Sequence, residues 1–570
     1  MRQAGRTDRI MQWAVGALLI LPLLAAFLGG GSFSEAYGTY QPGDEGAIAA
    51  RRWALAAATG RSLLVGSLAA LLAAALGVPT GWALAQRGNS HGGAGCPACG
   101  GSGRLTACPT LKGKGEIAGL VLATLPLALP PSVAVSGWVG LLAPAGAASA
   151  FNVPIPGFGP ESRGWLFSSL GAAFVLGLGL WPVVALEMWP AFKRTLSSTA
   201  YDAARLHGSA SRVFWRIILP QAKGELAAGA VLVFLLASSD FSVSSLLLVR
   251  TLPIEIHDAL AVGKTAGAAW AALPLLAVVS VAAFMLHACA APSSPAPPPL
   301  AGGGRGRAGS AHAPVASGFL AAGVFLGFVA PLAVCGWQAL AGGKPMSGVF
   351  GAGSGALFVS LRMAGAAAAL AVVLAVLRVL CWPEMRAKAL NGAALFLLAV
   401  PGSFLAAAFL ALQVRLQAAA NAVYAEQLAA ALPLAILAVS YVARFVYVPL
   451  RLVEEGLAAL DPEMFDAAAL AGHGRLSRAA AVAVPLVASH IAAGAALVFV
   501  LVLGDIAIAD KLAPPGTVPA TVWLFQQQHL GYDEAVFGLS LLLGAVVAAA
   551  LLAAGVAVGL LSRALGPGKR

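Results

Sequence analysis

The chain has 570 residues, of which 59% are hydrophobic and 10% charged, against about a quarter charged in an ordinary soluble domain. With a mean hydropathy of +0.85 spread along its length, water is excluded as the main solvent. A net charge of +12 would raise the question of nucleic acid in a soluble protein, but membrane topology accounts for it here and no nucleic-acid partner is expected.

The apolar runs are long enough for helices that cross a hydrocarbon core of roughly 30 Å, which takes about 20 residues each. Ala, Leu, Val and Gly fill these runs without strand-like alternation, which argues against a membrane β-barrel. At the N-terminus, Met1 to Gly31, the residues Arg2, Arg6 and Arg9 precede an apolar stretch from Met11 to Leu28. A secretory signal has that charge pattern, but the stretch is long for a signal core, so an uncleaved first helix is expected. The expected spans are residues 11–29, 62–86, 117–143, 165–190, 224–248, 269–290, 316–341, 355–381, 391–413, 429–448, 488–509 and 535–562. The fold class is thus an all-α membrane protein of about twelve transmembrane helices. With both termini in the cytoplasm of a bacterial inner membrane, most of the 35 Lys and Arg residues fall on the inside, as the positive-inside rule requires. Anionic lipid headgroups would be attracted to the same face.

Between the second and third spans, a Cys- and Gly-rich insertion at about residues 88–115 holds HGGAGCPACGGSGRLTAC. Cys96, Cys99, Gly101 and Gly103 follow the CxxCxGxG pattern of chaperone zinc-finger modules. With Cys108 and His91 they supply a candidate Cys₃His zinc site, because zinc takes thiolate and imidazole ligands in tetrahedral geometry. The alternatives are an unliganded Gly-rich insertion and a redox-sensitive pair. Cys289, Cys335 and Cys381 stand singly and read as small apolar residues.

The segment from Ala291 to Pro314, APSSPAPPPLAGGGRGRAGSAHAP, reads as a disordered cytoplasmic linker. It divides the chain into a first half, residues 1–290, a linker, 291–315, and a second half, 316–570. The halves share a repeat. Asp202, Ala203, Ala204 and Gly208 recur at identical spacing as Asp466, Ala467, Ala468 and Gly472. Leu219-Pro220 then answers to Val484-Pro485, with one residue fewer in the first copy. From each proline, 20 residues lead to an acid, Asp240 or Asp505. Small alanines let a short helix sit close to a partner, glycine permits a sharp reversal, and proline redirects the chain as it re-enters the membrane. A helix-turn-helix knuckle facing the cytoplasm is expected in each half.

These loops resemble the cytoplasmic loop of binding-protein-dependent ABC importers: Glu-Ala-Ala, three residues, Gly, nine residues, then Ile-x-Leu-Pro. Both copies here begin with Asp instead of Glu, and the first is one residue short before Ile217-Ile218-Leu219-Pro220. The resemblance implies a coupling helix in each half, seated on one of two copies of a cytoplasmic ABC ATPase. It also implies a periplasmic solute-binding protein as partner and alternating access driven by ATP. Leu125 to Trp138 and Leu397 to Leu412 look like the proline-broken third helix of each half. Together with Ser238 to Val249 and Leu512 to Leu543, they are similar to the iron(III) and thiamine branch of fused permeases. Ferric iron is the expected solute, with thiamine or a polyamine as alternatives.

No GxxxxGK[ST] phosphate loop occurs, so ATP is expected on another subunit, with no enzyme site and no cofactor beyond the candidate zinc. A secondary transporter would also carry repeats, but it would not need matched docking loops. A membrane enzyme would need a reactive cluster, and no HExxH is present. Asp240 and Asp505 are candidates for the translocation path or gate, since an intramembrane acid is costly unless it serves a purpose. The alternative is that each caps a helix. Glu187 has no counterpart in the second half and is expected to snorkel to the inner interface.

Overall fold

The computed structural model describes residues 45–89, 114–142, 160–196, 210–289, 313–341, 346–351, 353–381, 387–422, 426–458, 462–472 and 482–564, together with 460, 474 and 477. The expected first span, almost all of the linker, His91, Cys96, Cys99, Cys108, Asp202, Ala203, Ala204 and Gly208 lie outside the described residues. All regular structure among the described residues is helical.

In the first part of the chain, α1 (Glu45–Asn89) is followed by α2 (Lys114–Ala128), α3 (Pro131–Leu142) and α4 (Ser169–Leu196). Then come α5 (Lys223–Ser238), α6 (Ser242–Leu246), α7 (Leu252–Ala261) and α8 (Thr265–Cys289). A helix with a central π turn, α9 (Ala313–Val324) and α10 (Ala330–Ala341), opens the second part. It continues with α11 (Ser354–Cys381), α12 (Ala387–Ala399), α13 (Gly402–Ala422), α14 (Glu426–Phe445), α15 (Tyr447–Ala458) and α16 (Pro462–Leu470). The chain ends with α17 (Ala488–Gly504), α18 (Ala509–Leu512), α19 (Ala520–Leu530) and α20 (Glu534–Ala564).

Among the described residues, six helices are long and apolar enough to cross a membrane, and nine spans result if each of three bent pairs counts as one. Gly267–Ala282, Leu390–Ala399 and α17 are shorter apolar helices. Two expected spans are drawn too long: those placed at 224–248 and 488–509 stop at Ser238 and Gly504. The apolar run continues past both points, so hydropathy does not register the stop. The chain turns there because Asp240 and Asp505 take up backbone N–H groups of the next residues.

Proline sets the breaks. At Pro130-Pro131 the α2 and α3 axes bend by 78°, and Val133 and Ala134 donate to the Pro130 carbonyl at 2.9 and 3.1 Å. At Pro401 the same event separates α12 from α13, with Leu405 N–H donating to the Pro401 carbonyl at 3.0 Å. Pro220 and Pro485 each sit inside a three-residue helical turn, Leu219–Gln221 and Val484–Leu486. A single kinked residue follows each, Ala222 (φ −99°, ψ 14°) and Val487 (φ −97°, ψ 10°). Each turn thus redirects the chain into a long apolar helix, by 66° at the first site. That matches the redirecting role expected of proline, which has no N–H to continue the ladder.

Packing follows the same order in both parts. α1 lies against α4 and α5, whereas α11 lies against α14, α15 and α17. Small residues make the first contact close: a Cβ on Gly77 would stand 2.9 Å from the Trp181 carbonyl, and one on Gly81 2.9 Å from that of Ala185. Small side chains at such crossings are how helices approach in lipid, where hydrophobicity alone gives no reason to associate. The first turn of α7 donates Leu252 N–H to Ser62 Oγ of α1 at 2.9 Å. The first turn of α19 donates Ala520 N–H to Ser360 Oγ of α11 at 2.7 Å. Each serine satisfies one of the N–H groups that a helix start leaves without an intrahelical acceptor. Leu71, Phe325, Phe358, Leu552 and Val556 are exposed on outward faces, as side chains bathed in lipid would be.

Candidate functional site

The two proline breaks converge on one turn. Gly504 lies against the first break, where a Cβ would be 3.5 Å from Pro130 Cα and 3.6 Å from Pro131 Cδ. Ala507 lies against the second, its Cβ 2.9 Å from where a Gly402 Cβ would stand. Asp505 is between them, with its side chain 5% exposed. One carboxylate oxygen accepts Ile508 N–H at 2.9 Å, and the other meets Arg444 Nη1 at 2.9 Å. Arg444 reaches Asp505 across the start of α13, and its guanidinium occupies the space a Gly402 side chain would need. A side chain at 402 would therefore displace the Arg444 guanidinium from this position.

Asp240 occupies the matching turn after α5, and its carboxylate accepts Val243 N–H at 2.7 Å. Both acids thus perform the helix-start role that the sequence left open beside a path role. Arg444 pairs with Asp505 and also lies within electrostatic range of Asp240. A run of rings continues beyond Asp240: His257 stacks on Phe241 with centroids 4.3 Å apart, Phe241 meets Phe525 at 5.4 Å, and Phe525 meets His529 at 4.4 Å. His257 Nε2 lies 3.0 Å from Asp510 Oδ2, and Lys511 Nζ lies 3.0 Å from the same oxygen. Burial pushes the Asp510 carboxyl up, but the hydrogen bonds with His257 and Lys511 outweigh it and hold it at about 2. Its folded value is depressed, so its contribution to stability is complete above the ordinary carboxylate range and is lost only as pH falls toward 2.

Toward the end of the bundle that carries Pro220 and Pro485, Glu187 of α4 comes within electrostatic range of Arg451 and Glu455 of α15 and of Glu225 of α5. Arg451 pairs with Glu455 at 3.1 Å and with Glu454 at 3.6 Å, and Arg194 pairs with Glu225. Glu187 thus faces a charged group from the second part of the chain, a neighbourhood that a search for a repeat of Glu187 itself does not reveal. In the second loop, Asp466 and Ala467 are exposed on α16. Gly472 follows that helix with φ +83°, a left-handed conformation that glycine adopts without cost. Among the described residues no group of three His, Cys, Asp or Glu stands close enough to hold a metal.

Residues 110–293, which take in α2 to α8, match the family model of the binding-protein-dependent transport system inner membrane component. That stretch, about a third of the chain, is similar to ABC permease components. No curated protein and no solved structure matches the chain. The matched residues include the first proline break, the Pro220 turn and Asp240, so these features lie within the stretch that is similar to the family. A permease of this kind carries no catalytic site of its own, and its family implies an ATPase and a binding protein as partners.

Proposed function

We propose that the chain supplies both halves of the permease of an ATP-driven importer, and that it moves a small solute, ferric iron first among the candidates, into the cytoplasm. The observation that carries the reading is the recurrence of one set of local structures along the chain. A serine on a long helix receives the first N–H of a later one at Ser62 and Ser360. A proline break precedes α3 and α13. A three-residue proline turn and a kink precede α5 and α17. An acid ends each of those helices and accepts an N–H three residues on, at Asp240 and Asp505.

In this reading Asp202 to Pro220 and Asp466 to Pro485 are the two surfaces on which two ATPase copies sit. The exposed face of α16 supports it: Leu470 is 90% exposed and Met464 40%, beside Asp466 and Ala467, so an apolar helix face stands uncovered next to an acid. The termini lie in the cytoplasm of a bacterial inner membrane. The turn at Asp505, between the two breaks and beside Asp240, lies on the path, and the rings from His257 to His529 close it on the outer side. Cys96, Cys99, Cys108 and His91 are proposed as a structural zinc knuckle apart from transport.

Ferric iron rests on the resemblance of the Ser238 to Val249 and Leu512 to Leu543 segments. Asp240 lies within electrostatic range of Arg444, so two acids share one arginine near the Asp505 turn, a balance that favours a cation. The test is ATP hydrolysis by the reconstituted complex with iron-, thiamine- or polyamine-loaded binding proteins. Stimulation by the iron-loaded protein alone is expected, whereas stimulation by another loaded protein reassigns the solute.

A further inference from the structure

The first-turn serines register α7 with α19 at Leu252 and Ala520, and the prolines of the two breaks register Ser132 of α3 with Ser403 of α13. In that register Leu260 of α7 answers to Gln528 of α19, and Ala407 of α13 answers to Ser136 of α3. The two pairs of helices form two seams between the first and second parts of the chain, α3 with α19 and α7 with α13. The seams differ in the residues that stand at matching positions, polar at Gln528 and Ser136 and apolar at Leu260 and Ala407.

In the α3–α19 seam, Gln528 Nε2 donates to the Ser132 carbonyl at 3.1 Å and to Ser136 Oγ. Ser540 of α20 donates to Ser136 Oγ at 3.3 Å. All four side chains are buried, and Ser132 Oγ and Gln528 Oε1 have no partner. The α7–α13 seam is built from Leu252, Ile256, Leu260, Phe404 and Ala407, all buried in one apolar cluster. Ser403 Oγ is also buried without a partner, but the residues that α7 presents in this cluster are Leu252, Ile256 and Leu260. At the edge of this seam His257 of α7 meets Asp510 of α18, its Nε2 3.0 Å from Asp510 Oδ2, so the seam has a polar contact outside its apolar cluster.

Separating an apolar seam exposes hydrocarbon to water, and the cost grows with the area exposed. Separating a polar seam replaces protein hydrogen bonds with water, and it relieves buried atoms that have no partner when closed. We propose that the two seams have different tasks. The Gln528 seam parts to line the aqueous path, with Gln528 Oε1 and Ser132 Oγ as hydrogen-bonding groups for a hydrated polar solute, while the α7–α13 seam stays shut as the hinge. This rests on the two-half permease reading and adds to it that the path is one-sided.

The experiment labels single cysteines with a small water-soluble methanethiosulfonate in the full chain with its ATPase, in a background with the six native cysteines changed to Ser. Ser136→Cys and Ser540→Cys are expected to react at least tenfold faster than Ala407→Cys and Leu260→Cys, with rates that change when ATP and vanadate trap the complex. Equal rates on the two seams, with a nucleotide response at both, overturn the one-sided path and leave the permease reading intact. No nucleotide response at any position counts against the permease reading itself. Gln528→Leu, which copies Leu260, supplies a second arm: binding-protein-dependent uptake is expected to fall at least tenfold, with recovery in Gln528→Asn. Unchanged uptake in Gln528→Leu would also overturn the proposal.

Discussion

Arg444→Met is expected to destabilise the folded chain by about 3–5 kcal/mol, the usual cost of leaving one member of a buried pair without its partner. Asp505 is held at 5% exposure between Pro130-Pro131 and Gly402, so its carboxylate cannot turn to solvent when the guanidinium is removed. The backbone N–H of Ile508 would remain as a hydrogen-bond donor to it, and one neutral donor does not balance a full charge. Removing both charges in Arg444→Met with Asp505→Asn should recover most of the loss, because the remaining side chains no longer carry an uncompensated ion. Thermal unfolding of the detergent-solubilised chain, read as a double-mutant cycle, measures this coupling. Single variants that each match the parent, with no coupling, would mean that the ion pair holds nothing together.

The second large effect is expected at Gly472. With φ at +83° after α16, the position favours glycine, but asparagine and aspartate tolerate that conformation better than other residues do. Gly472→Asp should therefore leave the chain folded while placing a new charge on the proposed docking surface, beside Asp466 and the exposed Leu470. Retention of the ATPase on purification is expected to drop at least tenfold and uptake to vanish, with Gly472→Asn close to the parent. Gly208→Asp is expected to do the same at the first loop. Normal retention and uptake in both aspartate variants would remove these loops from the coupling role.

Much of the helical plan is readable without coordinates because lipid imposes it. Backbone groups must be satisfied within each segment, so length and hydropathy mark the spans. The breaks at Pro130-Pro131 and Pro401 and the turns at Pro220 and Pro485 follow from proline's missing donor. What is hidden has a common cause: it depends on which residues meet across the bundle. Arg444 stands inside an apolar run, and only the folded chain brings it to Asp505. Gln528 is one of three consecutive glutamines, and nothing in their order says that this one faces Ser132 and Ser136. The stops of α5 at Ser238 and α17 at Gly504 are not legible in the sequence because hydropathy does not register an acid that turns the chain. The matched roles of Ser62 and Ser360 leave only a weak trace in the sequence, a serine within a long helix of each part, against the stronger trace of the proline loops.

The central claim is that one chain supplies both halves of the permease, and the mass of the intact complex tests it most directly. Native mass spectrometry of the chain co-purified with its ATPase in lipid nanodiscs should give two ATPase subunits for each copy of this chain. A complex holding two copies of the chain with two ATPase subunits, one for each chain, would contradict it.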